Sequence, residues 1–161
     1  RRGDSRYTQW DEDLAFYKRS ENINSLEKAG TLAEFVDLFK ENALPEDYTL
    51  VISLEYVNIL EDSDEDFFVA FEKLGMTRDE YIKGGKWIFK NGGLTKVHGN
   101  DPGAAYIYEL SPHDTLSVKF IADGSKENVM INTEDYSNVG SYVDLVVYDN
   151  NIEEPVLQKK Y

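Results

Sequence analysis

Residues 61–66, Glu-Asp-Ser-Asp-Glu-Asp, place five carboxylates in six positions, the densest group of potential metal ligands or acid–base residues in the chain. Oxygen ligands at alternating positions build a calcium loop, and Asp62, Asp64 and Asp66 hold its first, third and fifth places. Two requirements then fail. The sixth place, where glycine makes the sharp turn, is Phe67, and the twelfth, where a bidentate acid belongs, is Lys73. No metal site is expected here. The cluster reads instead as a helix start: Ser63 caps, Asp64, Glu65 and Asp66 meet the unpaired N–H groups of the first turn, Phe67, Phe71 and Leu74 face inward, and Gly75 ends the helix.

Hydrolytic chemistry needs a histidine that acts as base and then acid, and the chain has His98 and His113 alone. His113 lies beside Asp114 with Ser111 two residues back, the residue types of a triad. All three fall in one turn, where neighbours do not line up as nucleophile, base and orienter, so an exposed turn is expected. Neither histidine has the spacing of a zinc ligand. Among the acids, Glu55, Glu109 and Asp144 interrupt apolar runs and are the carboxylates to inspect for a raised pKa. Gly84-Gly85 and Asn91-Gly92-Gly93 lack the strand–loop–helix setting and the Lys-Ser/Thr of a phosphate loop and read as turns. No catalytic residue and no cofactor is expected.

The composition limits the partners. With 31 acidic against 17 basic residues the net charge is −14, which disfavours nucleic acid and anionic lipid. Absence of cysteine removes disulfides, thiolate metal sites and cysteine nucleophiles. No apolar run approaches the ~20 residues that cross a bilayer. The chain begins with Arg1, so a processed product that has lost a signal segment is expected. Its 161 residues, 41% apolar, suffice for one domain with a real core.

The elements that must position these groups follow from periodicity. Residues 1–10 form a polar arm, whose Arg2-Gly3-Asp4-Ser5 resembles the tetrapeptide that integrins recognise, and residues 11–161 form one domain. Acids at 11–13, an apolar face of Trp10, Leu14 and Tyr17, and Lys18 and Arg19 at the end suggest a first helix. Thr31 and Glu34 make a capping box ahead of a stripe of Leu32, Phe35, Val36 and Phe39. Thr77 and Glu80 make another, and the Gly-Met-Thr…Glu opening of that short helix is similar to helix starts in small bacterial envelope proteins. Residues 48–60 fit a strand slightly better than a helix. After Gly85 the period becomes two: a hairpin turns at Asn91-Gly92-Gly93 with Trp87 and Phe89 on one face, and strands follow around Tyr106–Leu110, Leu116–Phe120, Val129 and Val143–Val147, with an edge segment at Val156-Leu157. Helices first and strands last define an α+β fold, with N-terminal helices packed on one face of a C-terminal antiparallel sheet.

Such a sheet has a second face to dispose of, and the aromatics supply a use for it. Eleven tyrosines include Tyr106, Tyr108, Tyr136, Tyr142 and Tyr148 on the expected sheet, near Trp87. Tyrosine and tryptophan stack on sugars and protein partners while their polar tips stay wet. The expected function is a non-enzymatic binding module of a bacterial secreted or cell-envelope protein, engaging protein or glycan through Trp87, Tyr106, Tyr108, Tyr142 and Tyr148. One alternative is an inhibitor or immunity protein that imitates a polyanion through Asp62, Asp64, Glu65 and Asp66. Another is a small enzyme whose pocket between helices and curved sheet holds Glu55, Glu109, Asp144 or His98.

Overall fold

A computed structural model of the chain describes residues 14, 17, 18, 20–42, 47–54, 62–98, 105–120, 127–136 and 142–161. The arm with its Arg-Gly-Asp-Ser tetrapeptide, Trp10 and Glu55 lie outside the described residues. Among those described, four helices and nine strands form three layers. The helices are α1 (residues 20–27), α2 (Leu32–Asn42), α3 (Asp62–Glu72) and α4 (Arg78–Lys83). The strands are β1 (Tyr48–Leu54), β2 (Gly85–Lys90), β3 (Gly93–His98), β4 (Ala105–Glu109), β5 (Thr115–Phe120), β6 (Glu127–Ile131), β7 (Glu134–Asp135), β8 (Val143–Asp149) and β9 (Glu154–Lys160).

All strand pairs are antiparallel, in two sheets ordered β3-β2-β1-β8-β9 and β4-β5-β6-β7. The α+β class is therefore correct. The single sheet is not: its strands divide into two layers, and the smaller one covers the face of the larger that the helices leave open. Alternation makes this possible. Leu50, Ile52, Trp87, Phe89, Leu145 and Val147 face the helices, in one core with Phe35, Phe39, Phe71 and Leu74. Val51, Ile88, Val146 and Tyr148 face the other way and pack on Leu116, Val118, Val129 and Ile131 of the second sheet.

Local signals explain the helix ends. Glu34 N–H donates to Thr31 Oγ1 (3.2 Å), and Glu34 Oε2 accepts from Gly30 N–H (3.1 Å), one residue before the expected partner. At α4 the box closes fully, with Glu80 N–H on Thr77 Oγ1 and Thr77 N–H on Glu80 Oε1. The stripe of α2 is buried as its spacing requires. In α3 the helix already begins at Asp62, so Ser63 sits in the first turn rather than capping it, and Phe68 joins Phe71 and Leu74 in the core while Phe67 is half-buried. The first helix also departs from expectation. Its described stretch covers residues 20–27 and buries Leu26, while Leu14 and Tyr17 are exposed.

The ambiguous stretch is settled over Tyr48–Leu54 as a strand buried at every position. It is central, with β2 on one side and β8 on the other, and a strand covered on both faces reads as a continuous apolar run without clean alternation. Asn91 (φ 53°) and Gly92 (φ 77°) make the two-residue β2–β3 turn, both in the left-handed region that matches strand twist. The edge segment expected at Val156-Leu157 is β9.

Candidate functional site

The turn Ser111-Pro112-His113-Asp114, which held the residue types of a triad, joins β4 to β5 and is a structural knot. Ser111 Oγ accepts from the N–H groups of His113 (3.3 Å) and Asp114 (3.1 Å), and Asp114 is buried. Its carboxylate accepts from Tyr148 Oη, on β8 of the other sheet, and from Asn132 Nδ2 at 2.7 Å. With the phenolic hydrogen given to Asp114, Ser111, 3.0 Å from Tyr148 Oη, returns its own hydroxyl hydrogen to that oxygen. The bond from Tyr148, then that from Asn132, hold the Asp114 carboxyl below its usual range, while burial and then Asp114 push Tyr148 up to about 12. His113 points away from this cluster, its Nδ1 2.7 Å from Glu153 Oε2. The serine accepts two backbone N–H groups and gives its hydrogen to Tyr148, and the histidine pairs with Glu153, so no nucleophile–base line exists.

Asp144 belongs to a second polar arrangement. Cross-strand register sets Lys86, Ser53 and Asp144 side by side on β2, β1 and β8, and all three are buried. Gln158 Nε2 lies 3.1 and 2.9 Å from the two Asp144 oxygens, and Lys160 Nζ lies 3.9 Å away. His98 stands opposite Lys86 in the ladder. A buried amine and carboxylate in one row fix the register of the three strands, because a slip of one residue would turn both charges into the apolar core. Glu109 is exposed on β4.

The proposed aromatic face separates under the same alternation. Trp87 points into the helix-side core at 2% exposure, its indole N–H donating to Gly84 O at 3.3 Å. Tyr148 is wholly buried between the sheets. Neither can stack on a ligand. Tyr106 and Tyr108 are half-buried on the inner side of β4, Tyr108 against the inter-sheet core, and only Tyr142 is exposed. The acidic patch is likewise thinned. Glu65 is held by Arg78 through two bonds of 2.7 and 2.8 Å, which lower its pKa, while Asp66 stays exposed; the side chains of Asp62 and Asp64 lie outside the described residues.

Sequence patterning missed the groove between the start of α2, α3 and the last residue. It has a volume of about 450 Å³ and is lined by Gly30, Thr31, Leu32, Ala33, Asp66, Phe67, Val69 and Tyr161. Each wall has a cause. Tyr161 reaches it because β9 runs antiparallel to β8, and its ring is fixed edge-on to Phe35 (6.3 Å) with its hydroxyl on Ala29 O (2.7 Å). Burial, then Glu34, raise its pKa to about 12, so it remains neutral. Val69 projects between buried Phe68 and Ala70 and is 45% exposed. A faint signal existed: Phe67, Phe68, Val69 and Phe71 are more apolar residues than one helix face can bury.

A second groove, of about 510 Å³, is polar and runs past Asp114, Asn132, Glu134, Glu153 and Glu154. Lys86, Ser53, Asp144 and Glu109 line neither. Among the described residues, no group of three potential metal ligands occurs and no helix is long and apolar enough to cross a membrane. Comparison with protein-family models, curated proteins and solved structures finds no match to this chain.

Proposed function

We propose that this α+β protein is a non-enzymatic interaction module, and that the groove formed by α2, α3 and Tyr161 seats the apolar face of a protein partner. The observation that carries this reading is the groove's lining: Leu32, Phe67, Val69 and Tyr161 gather around one open depression, with Val69 still 45% exposed. Covering such a patch gains about 25 cal/mol per Å² of apolar surface, and contiguous apolar depressions with a polar rim are typical of contact sites. Asp66 and Glu34 at the rim, on a chain of net charge −14, suit a partner that flanks its apolar residues with Lys or Arg. An aromatic sheet face has no part in the reading, because Trp87 and Tyr148 are inside.

The test is a peptide-display selection on the native chain, with counter-selection on Val69→Asp. Enriched peptides combining an apolar anchor with basic residues, and losing about tenfold or more in affinity for Val69→Asp, are expected. Because Val69 is exposed, the melting temperature of the variant stays near that of the parent. Peptides that bind both proteins equally remove the groove from the reading. If their affinity also falls steeply with salt, the polyanion-mimic alternative takes its place.

A further inference from the structure

We propose that two copies of this chain associate by pairing their β4 strands antiparallel across a twofold axis, joining two four-stranded sheets into one. Among the described residues the two sheets end in four edge strands, β3, β9, β4 and β7. A strand at an edge offers unpaired N–H and C=O groups, and proteins blunt it with lysine, proline, bulges or very short length. β3 carries Lys96, and a shift in its pairing with β2 leaves Val97 as an extra residue. β9 carries Pro155, Lys159 and Lys160 and a similar shift at Val156. β7 has two residues, both acidic. Among the described residues β4, Ala-Tyr-Ile-Tyr-Glu, pairs in its ladder with β5 alone and has none of these devices. Its central residue, Ile107, is 77% exposed, more than any other large apolar residue described.

The backbone phase fits pairing. Leu110 and Ser111 N–H both donate to Asp114 O, and Asp114 N–H donates to Ser111 O, so residues 106 and 108 exchange hydrogen bonds with β5. Thr115 O accepts from the N–H of Asn132, the residue just after β6, as that phase demands. The N–H and C=O groups of Ala105, Ile107 and Glu109 therefore point outward.

The residue order selects a second copy as the partner. Pairing centred on Ile107 sets Ile107 against its own twin, Tyr106 against Tyr108, and Ala105 against Glu109. Three residue pairs then exchange about six backbone hydrogen bonds. Tyrosines meet at the closer, non-hydrogen-bonded positions, where aromatic pairs stabilise a sheet, and no charge faces a like charge. A twofold contact is self-complementary in this way. Five residues of strand cover less than the ~1,200 Å² of a standard stable interface, so the dimer forms at high protein concentration. Two chains of charge −14 repel, and salt strengthens the association by screening them.

Sedimentation velocity over a concentration series at two ionic strengths tests this. The native chain should rise from 18.5 kDa towards twice that mass, further at the higher salt. Ile107→Pro removes only an outward N–H, and Ile107→Lys opposes two cations across the axis; both should stay monomeric with the melting temperature of the native monomer. Should the proline variant fail to fold, the lysine variant decides. Amide exchange at Ile107 should slow as the native chain is concentrated, while Tyr106 and Tyr108 are protected throughout. A native chain that is monomeric at every concentration and salt overturns the proposal, as does a dimer that survives Ile107→Lys.

Discussion

Tyr148 of the five-stranded sheet donates its phenolic hydrogen to Asp114 in the β4–β5 turn of the four-stranded sheet, a buried polar contact that ties the two layers across the inter-sheet core. Tyr148→Phe keeps the ring and its packing and removes the donor. The expected loss is about 2 kcal/mol, the range for a hydrogen bond to a buried charged acceptor, measured by urea unfolding near neutral pH. Asn132→Ala removes the bond to Asp114 and the one from Thr115 N–H and places alanine at φ 55°, so it should cost at least as much. A Phe variant as stable as the parent would show that the sheets are held by apolar packing alone.

The same contact sets an acid limit. Asp114 has a folded-state pKa below its ordinary 3.8, first through the bond from Tyr148 and then through that from Asn132. Its contribution is complete above the ordinary value and is lost as pH falls through the folded one. Stability should therefore drop below about pH 4, and the drop should be shallower in Tyr148→Phe. Parallel pH profiles of the two proteins would show otherwise.

The alkaline side is governed by tyrosines. Burial is the main cause that raises Tyr136, Tyr148 and Tyr161 to about 12 from an ordinary 10.0, with Glu134, Asp114 and Glu34 adding to it respectively. A raised folded-state pKa means that the contribution is whole below pH 10 and disappears between 10 and about 12. Phenolate absorbance should rise in two stages, the later one coinciding with loss of circular dichroism. A single smooth titration near pH 10 would contradict the buried placement of these rings.

Two glycines should respond in opposite directions to alanine. Gly92 sits at φ +77° in the hairpin turn with open space around its α-carbon, so Gly92→Ala pays only the left-handed backbone cost, about 1–2 kcal/mol. Gly30 has no such φ and nothing within 4 Å of an added methyl group. Gly30→Ala should raise stability by about 0.4–1 kcal/mol through the unfolded chain. Thermal unfolding of both variants checks the pair.

How much of this was legible depended on the range of the interaction. Asn91-Gly92, the cap at Thr31, the capping box at Thr77, the stripe of α2 and the α+β class were fixed by neighbours a few residues apart, whose geometry is a property of the residues themselves. Period-two alternation also separated two faces on β2 and β8 correctly: Trp87 with Phe89, and Val143 with Leu145 and Val147. Alternation says which residues share a face. It does not say what covers that face.

That decision belonged to contacts distant along the chain. β1 enters the middle of the large sheet beside β8, where Thr49 and Asn150 bond across 101 residues, and the second sheet folds back over the open face. Trp87 and Tyr148, equally aromatic in the sequence, were thereby taken from the surface into two different cores. Val69 and Tyr161 were brought to one groove by the docking of α3 and the pairing of β9, which no local pattern encodes. The sequence by itself determined the elements and their two-sidedness, because those rest on short-range sterics and hydrogen bonding. Only the tertiary structure decided which sides face water, because burial is a property of the partner that arrives, and these partners arrive from far away in the chain.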